Sequence, residues 1–268
     1  MFVGFRAPKG ERTQRFGRLG SLAFSSLYAK RHTHDKMLTA ALAMTKTRAI
    51  TDPMRHDLEV RGWALSRRLQ LDGAMAAEHC LALANGLGTP IATRRRGLVD
   101  VLVPRTPKQS RARSLSAQVG TGPQPWHVDL SHCAVPARYL VMCCLRVGQR
   151  QVATELLDRQ DFLQSRDIGD AASEPFLVRS GPCSFYGTIL EGPKRFLRFD
   201  PGCMQGATKR AGELMRRLLD QATCPSYAHK WAVGDILIID NWRLLHRRTD
   251  ASESSERMLL RVTVMQGE

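Results

Sequence analysis

The sequence predicts a mainly β protein with flanking helices, and three observations carry that expectation. Strand-like runs crowd the second half of the chain: "RYLVMCCLRV", "PFLVRSG", "SFYGTILEG", "KRFLRFD", "DILIID" and "RMLLRVTVM". They are rich in β-branched and aromatic residues and are bounded by Gly, Pro and Asp. Helical periodicity is confined to one early segment and two later insertions. Strands and helices therefore do not alternate in the way a parallel βαβ chain requires.

The elements follow in chain order. Residues 1–36 hold eight Lys or Arg against Glu11 and Asp35, so six of the 15 net positive charges lie there. This Arg- and Ser-rich, acid-poor stretch has the look of a transit peptide, and an overextended start with Met37 as the first residue is the simpler account. It is set apart as a basic leader, with 37–268 as a single domain. "DGAMAAEHCLALANGLGTP" predicts a helix with Asp72 at its N-cap and a stop at Gly86 and Gly88. "GLVDVLVP" predicts a strand. Arg105–Gln124 is polar, basic and without period, a long connection of the kind that forms lids or binding loops. "TELLDRQDFLQS" and "TKRAGELMRRLLDQA" predict helices, the second with Leu214, Leu218 and Leu219 on one face.

Composition narrows the function classes. No apolar run approaches the roughly 20 residues that span a bilayer. The seven cysteines form no CxxC pair, which excludes a disulfide framework or a cysteine zinc site and points to a reducing cytoplasm. The excess of basic residues favours an anionic partner, and nucleic acid is the alternative it raises. Against that alternative, no aromatic residues interleave a basic face.

The chemistry concentrates in "GPQPWHVDLSH". His127 and Asp129 are either a solvated loop or two ligands of a metal. A third ligand would have to come from elsewhere, and His246, just past the apolar run of "WAVGDILIIDNWRLLHRRTD", is the candidate. Two histidines and one carboxylate occupy one face of an octahedral Fe(II) and leave three positions open. His132, five residues beyond His127, is a decoy. Arg257 and Arg261 lie four apart in "ERMLLRVTVM", on one face of a strand. Either both face solvent, with Met258, Leu260 and Val262 as the core face, or both point inward and require anions. Trp126 and Trp242 flank the candidate ligands, as pocket walls or as plain core.

Together, "PWHVDLSH", "GDILIIDNWRLLH" and "RMLLR" resemble the Fe(II)/2-oxoglutarate dioxygenases of the taurine dioxygenase and clavaminate synthase type. The resemblance covers about residues 120–268 and implies a double-stranded β-helix (jelly-roll) core. It implies that His127, Asp129 and His246 hold Fe(II). The family's spacing from the aspartate puts its 2-oxoglutarate threonine on Thr154, 25 residues past Asp129. Its 2-oxoglutarate arginine falls on Arg257, 11 residues past His246, and its substrate-contacting arginine on Arg261. The histidines are 119 residues apart, far more than in the superfamily's smaller nucleic-acid demethylases. Retention of Asp129 argues against the halogenating relatives. The implied activity is hydroxylation of a small anionic or amino-acid-like metabolite, with O2 consumed and succinate and CO2 released.

Overall fold

Two antiparallel sheets face each other across an apolar layer in the computed structural model, which describes residues 50–93, 97–110, 114–192, 196–221 and 223–266. The leader, residues 37–49 and the expected boundary at Met37 lie outside the described residues.

A short helix α1 (Asp52–Arg61), with proline in its first turn, opens the described chain. It ends at Gly62, whose positive φ of 78° lets its N–H reach back to the Leu58 carbonyl. Strand β1 (Trp63–Ser66) follows, then helix α2 (Gly73–Asn85). As expected, the Asp72 carboxylate caps α2 by accepting from the Ala74 and Met75 amides. At Gly88, after the helix stop, a Cβ would lie 2.2 Å from the Met265 carbonyl oxygen, so only glycine lets the chain pass the sheet there.

The large sheet runs β1–β12–β4–β14–β2, with β3 also paired to β14. Its strands are β2 (Thr89–Ile91), β3 (Val99–Leu102), β4 (Tyr139–Arg146), β12 (Ile236–Asp240) and β14 (Met258–Met265). The alternate side chains of these strands serve two layers. Val141, Cys143, Ile236, Ile238, Leu260, Val262 and Val264 pack under α2. Leu140, Met142, Cys144, Leu237, Ile239 and Leu259 face inward. A sheet buried on both faces explains why these strands read as continuous apolar runs rather than alternating ones.

The inward layer meets a three-stranded sheet of order β11–β5–β13, formed by β5 (Thr154–Asp158), β11 (Tyr227–His229) and β13 (Leu244–Arg248). A further core gathers β6 (Phe176–Val178), β7 (Phe185–Gly187), β8 (Leu190–Glu191), β9 (Phe196–Leu197) and β10 (Met204–Gly206). Helices α3 (Leu115–Val119), α4 (Arg159–Phe162), α5 (Ser165–Ser173) and α6 (Lys209–Asp220) complete the chain. The fold is mainly β with flanking helices, the expected class.

Three local expectations are corrected. "TELLD" is strand β5, not the start of a helix. It lies between β11 and β13, whose backbones satisfy both of its edges. The helix begins only at Arg159, capped by the Asp158 carboxylate. His246 lies past β12, as expected, but not in a loop there: it sits inside a further strand, β13. In α6, Ala211, Leu214, Met215 and Leu218 are buried, whereas Leu219 turns off that stripe and is 49% exposed. Among the described residues no helix is long and apolar enough to cross a membrane.

Candidate metal centre

His127 and His246 stand directly opposite each other in an antiparallel bridge. The His127 amide donates to the His246 carbonyl (3.2 Å) and the His246 amide donates back to His127 (2.9 Å). A non-hydrogen-bonded or hydrogen-bonded facing pair puts its side chains on the same side of the sheet. The imidazoles accordingly meet, with ring centroids 4.4 Å apart. This pairing is what brings together residues 119 positions apart.

Asp129 completes the cluster. Its Oδ1 is 3.8 Å from His127 Nε2 and 3.7 Å from His246 Nε2. Three such donors from two histidines and a carboxylate, all within 4.8 Å of one another, form the one group of metal-ligand type found among the described residues. The Pro125 carbonyl lies 2.9 Å from His127 Nδ1, so Nδ1 carries the proton and donates to it, leaving the Nε2 lone pair for the centre. Right-angled donors around a metal at roughly 2.1 Å would be about 3 Å apart, so a small inward movement of these side chains suffices to hold one. His132 is exposed and outside the cluster.

Electrostatics keep His127 and Asp129 in their binding forms. Burial, with the neighbouring His246, lowers the His127 pKa from 6.5 to about 4, so the ring is neutral at neutral pH. Burial pushes the Asp129 carboxyl upward, but the Arg261 guanidinium and then His246 outweigh it and hold the group well below the usual carboxylate range.

Several residues that sequence reasoning missed build this geometry. Asn241, fully buried directly after β12, accepts from the Asp129 amide (2.8 Å). Its Nδ2 donates to the carbonyls of Asp129 (3.0 Å) and Ala137 (2.8 Å). Leu130 adopts the left-handed region, φ 59°, and turns the loop away from the ligand. Arg198, also fully buried, donates to the carbonyls of Ser131, Cys133 and Ala134 and pairs with Glu191. The only trace of Asn241 in the sequence is an amide straight after an apolar strand; Arg198 left no trace beyond one basic residue in "RFLRFD".

Thr154 opens β5, buried, and its hydroxyl accepts from Trp231 Nε1 (2.9 Å). Across the ladder from it stands Arg248. Arg257 is 5% exposed just before β14. Burial, then the charge of Arg248, lowers its pKa to about 10. Among the described residues no hydrogen bond or ion pair holds its guanidinium, and its buried Nε has no partner. Arg261 also points inward, but with different company: one terminal nitrogen is 2.6 Å from Asp129 Oδ2 and the other 2.8 Å from Asp100 Oδ2. The arginines do not face solvent, and Leu260 and Val262 instead occupy the opposite face under α2. Trp242 belongs to the core, its Nε1 donating to the Pro136 carbonyl. Trp126 packs in the third core, with the Arg247 guanidinium 4.2 Å over its ring.

Two facing antiparallel sheets that converge two histidines and one carboxylate define a candidate non-haem metal centre with positions left open for other ligands. Comparison with known proteins agrees. Residues 188–263 match the model of the "Taurine catabolism dioxygenase TauD, TfdA family". The L-asparagine oxygenase of Streptomyces coelicolor is 24% identical over 216 residues, covering 74% of this chain; the match spans 64% of that relative's length. Among solved structures, an asparagine oxygenase superposes with a TM-score of 0.67 at 21% identity, covering 80% of this chain and 76% of the other. A taurine dioxygenase from Burkholderia xenovorans gives 0.61 at 18% identity, covering 82% and 84%. The likeness to these solved structures shows a shared fold.

Proposed function

We propose that the protein is an Fe(II)- and 2-oxoglutarate-dependent oxygenase that hydroxylates a small amino-acid-like or anionic metabolite. The observation that carries this reading is a pair of features on the inner side of the sheets. Three metal-type donors converge within 4.8 Å of one another, and Arg257 is a buried cation with no counter-charge among the described residues. A buried guanidinium without a partner is costly, and a dicarboxylate that also reaches the donors would relieve it.

In this reading His127, Asp129 and His246 hold Fe(II), and Arg257 receives the far carboxylate of 2-oxoglutarate with the Thr154 hydroxyl beside it. Iron with 2-oxoglutarate and O2 supplies the oxidising chemistry, releasing succinate and CO2. The chain's own contribution is to keep His127 neutral, to fix the three donors through the bridge and Asn241, and to orient Thr154 through Trp231. Related proteins support an amino-acid-like substrate: one is named an L-asparagine oxygenase, and another, OrfP, is described with (3S)-hydroxy-L-Arg bound. The nucleic-acid alternative rests on net charge alone. Seven free thiols favour a reducing cytoplasm as the place of action.

The test is anaerobic. Fe(II) and then 2-oxoglutarate are added while the weak visible charge-transfer band of the chelated co-substrate is followed, in wild type and in Arg257→Ala. A band in wild type that needs far more 2-oxoglutarate in the variant is the expected result. No band at saturating metal and co-substrate overturns the reading.

A further inference from the structure

Arg261 occupies the position whose family counterpart contacts an anionic substrate group, yet its surroundings here suit a different task. We propose that Arg261 and Asp100 are positioning residues that fix the metal-binding carboxylate of Asp129, rather than an anchor for a substrate anion. The inference rests on the oxygenase reading above and assigns Asp100 a role in the same centre.

The two oxygens of Asp129 are divided between two tasks. Oδ1 faces the two imidazole nitrogens, 3.8 and 3.7 Å away, while Oδ2 is taken by Arg261 at 2.6 Å. A carboxylate held in this way presents one oxygen, in one orientation, to a metal. Arg261 is itself held. Asp100 lies directly across the β3–β14 ladder from it and takes the second terminal nitrogen at 2.8 Å. Asp100, 6% exposed, also accepts from the Thr93 hydroxyl. The chain Thr93–Asp100–Arg261–Asp129 therefore runs from an edge strand to the centre, anchored in a sheet by ladder pairing on both sides of β14.

Charge gives Asp100 a second purpose. Arg261 alone would cancel the negative charge of Asp129 and leave a neutral donor set for a dication. With Asp100 the group carries one net negative charge, and the guanidinium can lie beside a metal site without repelling its ion. An incoming substrate anion would find both terminal nitrogens already paired, one with the buried Asp100 and one with the donor Asp129, and would be left with the buried Nε alone. Arg261 is thereby removed from substrate reading, and the substrate's anionic group, where it has one, is recognised elsewhere.

The test measures metal binding by the metal-free whole chain, apart from turnover. Mn(II) is titrated and the free ion followed by its electron paramagnetic resonance signal, for wild type, Asp100→Asn, Asp100→Glu and Arg261→Lys, with thermal unfolding recorded in parallel. Loss of a partner one step behind a ligand typically weakens metal binding about 10- to 100-fold. That loss is expected for Asp100→Asn and Arg261→Lys, with partial recovery in Asp100→Glu. Should Asp100→Asn fail to fold, Arg261→Lys and Asp100→Glu carry the test against the same thresholds. Affinities within twofold of wild type in the folded variants overturn the positioning role and return Arg261 to substrate binding. Failure of the wild type itself to bind Mn(II) overturns the oxygenase reading, and the positioning role with it.

Discussion

Replacing Asn241 with Ala should separate the two segments that carry the ligands. Asn241 makes three hydrogen bonds from a fully buried side chain: one accepted from the Asp129 amide, one donated to the Asp129 carbonyl and one to the Ala137 carbonyl. Each is worth about 1 kcal/mol net, and a partner left buried without water costs a further ~1–3 kcal/mol. The Ala137 carbonyl is the buried one of the three, so that penalty is counted once. The sum is about 4–6 kcal/mol, a large share of the ~5–15 kcal/mol that holds a typical domain. Urea unfolding of the metal-free protein should show it as a lower midpoint with an unchanged slope. Asn241→Asp adds a control for packing. It keeps the shape but turns two acceptor-facing donors into an acceptor, so it should be at least as destabilising as Ala. A loss below about 1 kcal/mol in Asn241→Ala, or wild-type stability in Asn241→Asp, would refute the clamp.

Other outcomes follow from the same geometry. The folded pKa of His127 is depressed from 6.5 to about 4, so between those values the unfolded chain binds the extra proton. Metal-free stability should be fully present above pH 6.5 and fall by up to about 3 kcal/mol as pH drops to 4, read by urea midpoints across that range. A flat profile from pH 7 to 4.5 would contradict a buried neutral His127. Arg198→Met should destabilise by roughly 3–5 kcal/mol in thermal or urea unfolding, because Glu191 and three loop carbonyls lose a fully buried partner. Trp231→Phe removes the donor to the Thr154 hydroxyl while keeping the ring's bulk. The 2-oxoglutarate needed to half-saturate the visible band should rise about fivefold, the equivalent of one hydrogen bond of ~1 kcal/mol, and an unchanged value would exclude Thr154 from co-substrate binding.

How much of this was legible in the sequence depends on the range of each interaction. Local signals were read well: Asp72 before an apolar-periodic run did cap α2. "TELLD" was misread because its conformation comes from two strands 70 or more residues away, not from its own residues. The H-x-D pair and a late histidine were visible as types, but their convergence depends on one bridge between residues 127 and 246. Asp100 was invisible for the same reason. An aspartate in "GLVDVLVP" becomes the partner of Arg261 only through the β3–β14 register, which no local pattern encodes.

Charge shows the same division between what composition reports and what folding decides. Five arginines lie between Asn241 and Gln266 and count toward the overall basic excess that raised an anionic partner. Folded, four of them are committed. Arg243 holds Asp158 and the carbonyls of Glu59 and Val60, and Arg247 holds Glu155. Arg248 ties down the carbonyls of Gly120 and Gly122, and Arg261 joins Asp129 to Asp100. These charges are spent inside the fold, fastening loops and strands around the centre, and offer little to a phosphate backbone. Arg257 is the exception: more deeply buried than the other four, and without a carboxylate or carbonyl of the described chain to meet it. In the proposed reading that cation, within reach of the charge of Arg248, which itself stands across the ladder from Thr154, would receive one small dicarboxylate rather than a polymer.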